Sequence, residues 1–246
     1  MAHEQVEREC DMTQTIVLLP GMMCDHRLYA AFIDRFSDQY DIHCLDLVDQ
    51  TTIPDMAQSV LDRVDGPFHL VGLSMGGIVA LPLALQAPDR VATLMLLDTN
   101  ARADRPEVAP LRDAQISSAK NGALADILSQ QMVPNYFHDR SANLDNERIC
   151  VDMGVDLGAR AFENQSLALK HRVAVTERLG DIQCPTLIIM GEHDKLCSLH
   201  DHQTLAAGIA GSQLHIIPQC GHIPTMETPD QVNELAAAFY TQQLGT

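Results

Sequence analysis

Ser74 has the residue type and the neighbours of a catalytic nucleophile. It lies in Gly72-Leu-Ser-Met-Gly76, directly after an apolar strand-like run and directly before an alanine- and leucine-rich segment. A serine between a strand and a helix must adopt a strained backbone to point its oxygen out of the sheet. The flanking glycines leave room for that turn because they carry no Cβ. The alternative is a glycine-rich turn in which the serine only caps the helix.

His222 and Asp194 are predicted to act together with Ser74. A serine hydroxyl is a weak nucleophile at neutral pH, so it needs a base and a third group that orients this base. His222 follows the last strand-like run of the sequence, and Asp194 follows the run before it. The order Ser, Asp, His along the chain is the one expected for this arrangement. Glu192 and Asp98 are rival acids, since each also follows a strand-like run.

Acyl transfer also needs hydrogen-bond donors for the oxyanion that develops on the substrate. The backbone N–H of Met75, which follows the nucleophile, is one predicted donor, and that of Met22, in the loop after the first strand, is the other. Met23, which follows Met22, and Ile223, which follows His222, are predicted to line the substrate pocket. The methionines Met22, Met23 and Met75 suggest a flexible apolar surface there. Plain core packing is the alternative for the methionine side chains.

Strand-like runs that alternate with helical patterns predict how these residues are positioned. The predicted strands are 15–19, 41–47, 68–73, 91–97, 186–190 and 213–217, and the predicted helices of the same regions include 26–38, 53–64, 198–209 and 229–244. This alternation predicts an α/β fold with a mostly parallel central sheet and helices on both faces. Ligands bind at the carboxyl ends of the strands in such sheets.

The alternation stops between residues 100 and 180, where no strand is predicted. Helical patterns occupy 111–118, 123–132 and 167–179. We therefore predict a core domain of residues 1–99 and 181–246, interrupted by a helical cap insertion of residues 100–180.

Composition restricts the classes of partner. A net charge of −17 argues against nucleic acid as a partner, since nucleic acid requires clustered Lys and Arg, and against binding to anionic membranes.

Seven scattered cysteines without a CxxC pair, and a polar N-terminus without a signal-peptide core, favour a cytoplasmic protein. His200 and His202 form an HxH pair that we interpret as a solvated helix face rather than a metal site. We expect no metal, no cofactor and a small-molecule acyl substrate; nothing in the sequence indicates an oligomeric state.

The motifs together resemble the α/β-hydrolase superfamily, in particular small esterases and lactonases with a helical cap. The segments that carry the resemblance occur in the family's order: LLPGMMCDHRLY, VGLSMGGIVAL, ALQAPDRVATLMLLDT, CPTLIIMGEHD and CGHIPTMETPDQVNELAAAFY. Two departures stand out. Leu19-Pro20-Gly21 replaces the His-Gly of many relatives, and the first predicted strand begins at Thr15, so the N-terminal strand hairpin of the family is expected to be missing.

The expected function is hydrolysis of a small carboxylic ester or lactone through an acyl-enzyme on Ser74. The same three residues support thioester hydrolysis, C–C bond cleavage and cofactor-free peracid formation, and a fold resemblance does not separate these reactions. A hydrolase-like ligand receptor or signalling protein with little turnover is the alternative from outside enzymology.

Overall fold

A single parallel sheet forms the centre of the molecule. The computed structural model describes residues 14–244, and its six strands lie in the order β2-β1-β3-β4-β5-β6. Every neighbouring pair is parallel. The strands are β1 (Thr15–Leu19), β2 (Asp41–Cys44), β3 (Phe68–Leu73), β4 (Val91–Leu97), β5 (Thr186–Gly191) and β6 (Gln213–Ile217). The predicted fold class is thereby confirmed, and β2 ends earlier than predicted.

The central strands are apolar because both of their faces are covered. Every residue of β3 and β5 is buried, as expected for parallel strands with helices on either side. Within residues 14–244 no strand pairs antiparallel with the sheet. The predicted absence of the N-terminal hairpin and of a signal peptide concerns residues 1–13, which lie outside the described residues.

Helices pack on both faces of this sheet. They are α1 (Ala30–Phe36), α2 (Ile53–Leu61), α3 (Met75–Gln86), α4 (Ala109–Ser118), α5 (Leu124–Ile127), α6 (Leu144–Lys170), α7 (Leu199–Gly208), α8 (Pro224–Glu227) and α9 (Pro229–Leu244). Alternate residues of β1 point to opposite faces. Ile16 and Leu18 pack with α1 and α9, whereas Val17 and Leu19 pack with α2, α3 and α7.

The chain between β4 and β5 is helical, but not at all of the predicted positions. α4 and α5 are joined and extended by π-helical turns at Ala119–Ala123 and Leu128–Met132. The predicted helix over 167–179 is wrong after Lys170, where α6 ends; a 3-10 helix covers Thr176–Asp181. Most of α6 was not predicted, since glycines interrupt its pattern, and Gly158, with φ of 83°, breaks it into two segments.

The sheet brings the chemistry-bearing residues to one edge. Ser74, Asp98, Asp194 and His222 follow β3, β4, β5 and β6 respectively, at the carboxyl ends of neighbouring strands. No helix in the described part of the chain combines the length and hydrophobicity needed to cross a membrane.

Candidate active site

The turn between β3 and α3 holds Ser74 in a strained conformation. Its backbone has φ of 54° and ψ of −113°, a region that L-residues rarely adopt. The turn requires glycine at position 76, because a neighbouring strand leaves no room there for a side chain. A Cβ on Gly76 would lie 1.9 Å from the carbonyl oxygen of Leu19 in β1. The conformation therefore depends on close packing of the turn against the neighbouring strand.

Ser74, His222 and Asp194 form one continuous chain of hydrogen bonds. The Oγ of Ser74 lies 2.9 Å from Nε2 of His222, and Nδ1 of His222 lies 2.9 Å from Oδ1 of Asp194. The side chains of His222 and Asp194 are 3% and 0% exposed. Because Nδ1 faces a carboxylate, it carries the proton, which leaves Nε2 free to accept the hydroxyl proton of Ser74.

The loop after β5 stabilises the charge of Asp194. Its Oδ1 also accepts hydrogen bonds from the backbone N–H groups of Leu196, at 2.7 Å, and Cys197, at 3.1 Å. Burial opposes ionisation, but attraction to His222 and these hydrogen bonds outweigh it and lower the pKa of Asp194. Asp194 is therefore an anion at neutral pH.

Close packing joins the loops that carry Asp194 and His222. A Cβ on Gly191, the last residue of β5, would lie 1.9 Å from the carbonyl oxygen of Gly221. The backbone N–H of His222 donates to the carbonyl oxygen of Tyr136, at 2.7 Å. These contacts fix the position of the imidazole. They join the loop between β5 and α7, the loop after β6 and the segment between α5 and α6 that contains Tyr136.

The two rival acids have different environments. Glu192 is 52% exposed, and its Oε2 lies 3.5 Å from His193 rather than beside His222. Asp98 is fully buried next to Asp194, and its Oδ1 accepts a 2.9 Å hydrogen bond from the N–H of Gly191. The ring of His222 is hydrogen-bonded to neither of them.

Asp98 and Asp194 form a buried carboxyl pair. The Oδ2 atoms of both are buried, and neither has a hydrogen-bond partner of its own among residues 14–244. Burial, followed by repulsion from the charge of Asp194, raises the pKa of Asp98 well above the ordinary value of 3.8. Asp98 is therefore the protonated member of the pair, a neutral acid beside the carboxylate of Asp194.

This pair predicts how Asp98→Asn changes stability with pH. The folded protein keeps a proton on Asp98 that the unfolded chain releases above about pH 4, so the contribution of Asp98 to wild-type stability falls as pH rises. Asparagine reproduces the neutral acid, since its oxygen can accept from Gly191 and its NH₂ can donate to Asp194. The variant should gain stability over wild type by up to about 1.4 kcal/mol per pH unit between about pH 4 and the raised pKa. Urea unfolding at several pH values measures this gain, and parallel pH profiles would contradict it.

Met22 and Met75 stay the predicted oxyanion donors. Met22 and Met75 both line the cavity into which Ser74 opens. The N–H of Met75 belongs to the first turn of α3, where N–H groups have no acceptor within the helix. In the described residues, the N–H of Met22 likewise donates to no protein acceptor. Both groups are thus available to an oxygen bound beside Ser74.

The cavity at this edge has a volume of about 260 Å³. Ser74, His222 and Ile223 line it, and contact of Ile223 with substrate stays a prediction. Met23 does not line the cavity, so its prediction as a pocket residue is wrong. With φ of 58° and its N–H donated to Gln165, Met23 turns its side chain into an apolar cluster with α5 and α6.

Sequence reasoning missed the arginines of this cavity. Its wall includes Arg102, Arg105, Arg112 and Arg172, together with Asp104. Three of these arginines fall within ten residues of one another in an otherwise acidic chain, which is a signal that the sequence offered.

Among residues 14–244, two groups of side chains have the spacing of metal ligands, and both include Asp194. One adds Cys197 and His222, and the other adds Asp98 and His202. A metal in the first group would displace the hydrogen bond that orients His222. In the second group, Nδ1 of His202 donates to a carbonyl and Nε2 accepts a backbone N–H. Burial lowers the pKa of His202, so the expectation of a solvated face is wrong for His202 and right for exposed His200.

Comparisons with known proteins agree with this fold. The model of the alpha/beta hydrolase family matches residues 16–235. The chain is 30% identical to 2-hydroxy-6-oxononadienedioate/2-hydroxy-6-oxononatrienedioate hydrolase 1 of Pseudomonas putida, over 75% of this chain and 67% of that protein. It is 23% identical to 3-oxoadipate enol-lactonase 1 of Acinetobacter baylyi, over 91% and 87%.

A solved structure extends this similarity to the fold. A thermophilic esterase from Thermogutta terrifontis superposes with a TM-score of 0.84, at 24% identity, over 94% of this chain and 90% of the other. The resemblance inferred from the sequence motifs is thereby confirmed. With a family match over most of its length, the chain belongs to the alpha/beta hydrolase family and is a hydrolase.

Proposed function

We propose that the protein hydrolyses a small carboxylic ester or lactone through an acyl-enzyme on Ser74. The observation that carries the proposal is the hydrogen-bonded chain from Oγ of Ser74 through His222 to the anionic Asp194, with Ser74 in the strained turn after β3. A hydroxyl held 2.9 Å from an imidazole that a buried carboxylate orients is activated for attack on a carbonyl carbon.

The first half of the reaction acylates Ser74. Its Oγ attacks the acyl carbon while its proton moves to Nε2 of His222, and the N–H groups of Met22 and Met75 bind the resulting oxyanion. Collapse of this intermediate breaks the bond to the leaving oxygen, which takes the proton from Nε2. Asp194 holds the imidazole in position and stabilises its charged form.

The second half returns the enzyme to its starting state. Water attacks the acyl carbon and gives a proton to Nε2 of His222, which then protonates Oγ of Ser74 as the acid departs. A lactone follows the same steps, with its alcohol remaining attached to the acyl chain.

A second candidate is hydrolysis of a carbon–carbon bond. The 30% identical relative from Pseudomonas putida is named for a hydroxy-oxo-dienedioate substrate, whereas the relative from Acinetobacter baylyi is named as an enol-lactonase. Both reactions use a nucleophile, a base and an oxyanion site at a carbonyl, so the substrate decides between them.

A kinetic panel combined with active-site labelling tests the proposal. Small p-nitrophenyl esters, simple lactones, acyl-CoA thioesters and a vinylogous 1,5-diketone acid would be compared by kcat/KM. We expect the esters or lactones to rank first. A fluorophosphonate should label wild type at Ser74 stoichiometrically, and His222→Ala should lose this labelling because its serine lacks a base. Preference for the diketone would favour C–C cleavage, and no labelling and no turnover of any substrate would favour a receptor.

A further inference from the structure

An unusual concentration of arginine surrounds the cavity that contains Ser74. The chain has 16 Lys and Arg residues against 33 Asp and Glu, yet four arginines line this one cavity. We call Arg102, Arg105, Arg112 and Arg172 the arginine cluster. The protein has a net charge of −17, so a wall with four positively charged side chains is unusual for this molecule.

The protein's own carboxylates neutralise only part of the arginine cluster. Asp104 accepts a 2.6 Å hydrogen bond from Nε of Arg112, and its other oxygen lies 3.1 Å from Arg172. Asp201 accepts a 2.9 Å hydrogen bond from Nε of Arg102. Two carboxylates therefore pair with three of the four guanidinium groups.

Free donors remain on the two arginines nearest to α4. Within residues 14–244, Arg105 forms no ion pair, and Arg112 is bound only through Nε, so its two terminal nitrogens have no acceptor. These nitrogens can bind both oxygens of a planar anion at once.

Burial strengthens the field at the inner end of the arginine cluster. The side chain of Arg172 is 5% exposed and is fixed by hydrogen bonds to the carbonyl oxygens of Leu169 and Arg102. Charges attract more strongly where water is excluded. A purely structural role, tying the segment after β4 to α6 and α7, accounts for Arg102 and Arg172, whereas Arg105 is exposed, lines the cavity and makes no such contact.

We propose that the arginine cluster binds a free carboxylate of the substrate, away from the carbonyl that Ser74 attacks. This inference rests on the proposed function and specifies its substrate class as a small ester or lactone that carries an additional carboxylate. A carboxylate fits because the guanidinium fork matches its two oxygens. The volume of about 260 Å³ favours a small molecule over a long acyl chain.

Matched pairs of esters test this inference. In the first pair, p-nitrophenyl hydrogen glutarate carries a carboxylate in its acyl part and p-nitrophenyl pentanoate is its neutral counterpart. In the second pair, 4-acetoxybenzoate carries the carboxylate in its alcohol part and phenyl acetate is the neutral counterpart. We expect the anionic member of at least one pair to have a kcat/KM about 10- to 100-fold higher, mainly through KM, and this preference to shrink as salt is added. Equal or lower kcat/KM for both anionic esters would overturn the inference.

Charge-removing variants tie the preference to the arginine cluster. Arg105→Gln and Arg112→Gln should each reduce the anionic-to-neutral ratio of kcat/KM about tenfold. The matched control is Arg148→Gln, which removes the same charge from a side chain that is 71% exposed on α6 and does not line the cavity. It should leave the ratio unchanged. An equal change of this ratio in all three variants would show a general effect of net charge and would reject the role of the arginine cluster in binding the carboxylate.

Binding without turnover separates this inference from the proposed function. Titration of Ser74→Ala with p-nitrophenyl hydrogen glutarate should give a dissociation constant at least about tenfold lower than with p-nitrophenyl pentanoate. Anion binding without ester hydrolysis by wild type would reject only the proposed reaction. Serine-dependent hydrolysis of neutral esters without anion preference would reject only the carboxylate subsite.

Discussion

Replacing Ser74 with alanine is expected to lower kcat for ester hydrolysis by about 10⁴- to 10⁶-fold. The variant removes the atom that forms the acyl-enzyme and leaves His222 with no hydroxyl to deprotonate. The proposed oxyanion donors, the N–H groups of Met22 and Met75, remain, so slow attack by water is expected to account for the residual rate. Burst and steady-state assays with p-nitrophenyl butyrate measure the loss, together with the disappearance of fluorophosphonate labelling.

Folding of Ser74→Ala must be checked separately, because Ser74 has a positive φ of 54°. Alanine keeps a Cβ, so the strain is unchanged and the thermal midpoint should stay close to that of wild type. Ser37→Ala is the matched control, since Ser37 is exposed at the end of α1 and outside the cavity. It should retain full activity. Substantial hydrolysis by a correctly folded Ser74→Ala would disprove the nucleophile.

Asp194→Asn is expected to lower kcat by about 10³- to 10⁴-fold with little change in KM. Asparagine keeps the size of the side chain but loses the charge that stabilises imidazolium. Its amide can also donate to Nδ1 of His222, which would place the ring proton on Nε2, where a base must be free. The pH profile of kcat measured on the same esters shows whether the base has been altered.

The rival acids provide controls for this prediction. Glu192→Gln should keep nearly full activity, since Glu192 is exposed and directed towards His193. Asp98→Asn should also keep activity, because Asp98 is already a neutral acid in the folded protein. If Asp98→Asn were inactive and Asp194→Asn active, Asp98 rather than Asp194 would be the residue that orients the base.

Local sequence was sufficient for the sheet and for the order of the site residues. The strand-like runs of β3, β4 and β6 have the observed bounds. In β3 and β4, which are largely buried, most residues are apolar because helices cover both faces of the sheet. Gly72-Leu-Ser-Met-Gly76 predicts the strained turn partly from local sterics, since a Cβ on Gly72 would lie 2.6 Å from the backbone of Gly76. The close contact of Gly76 with Leu19 is a tertiary one. The loops with Asp194 and His222 follow from parallel strands ending at one edge.

Tertiary structure decided what depends on distant residues. Glu192 and Asp194 are two positions apart and chemically alike, and only contact with His222 separates them. Asp98 is an ordinary aspartate in the sequence, and burial against Asp194 makes it a neutral acid. Met23 turns away from the cavity because Gln165, in α6, accepts its N–H.

The sequence by itself determined a parallel α/β sheet and a serine, a histidine and an aspartate at its carboxyl edge. Only the folded chain decided which carboxylate meets the imidazole, where α6 runs and which side chains line the cavity, including Arg105 and Arg112 from the α4 region and Arg172 from beyond α6. The physical reason is how far apart in the sequence the interacting residues lie. Strand burial and turn geometry are set by neighbouring residues, whereas pKa, charge pairing and cavity shape are set by groups that only folding brings together.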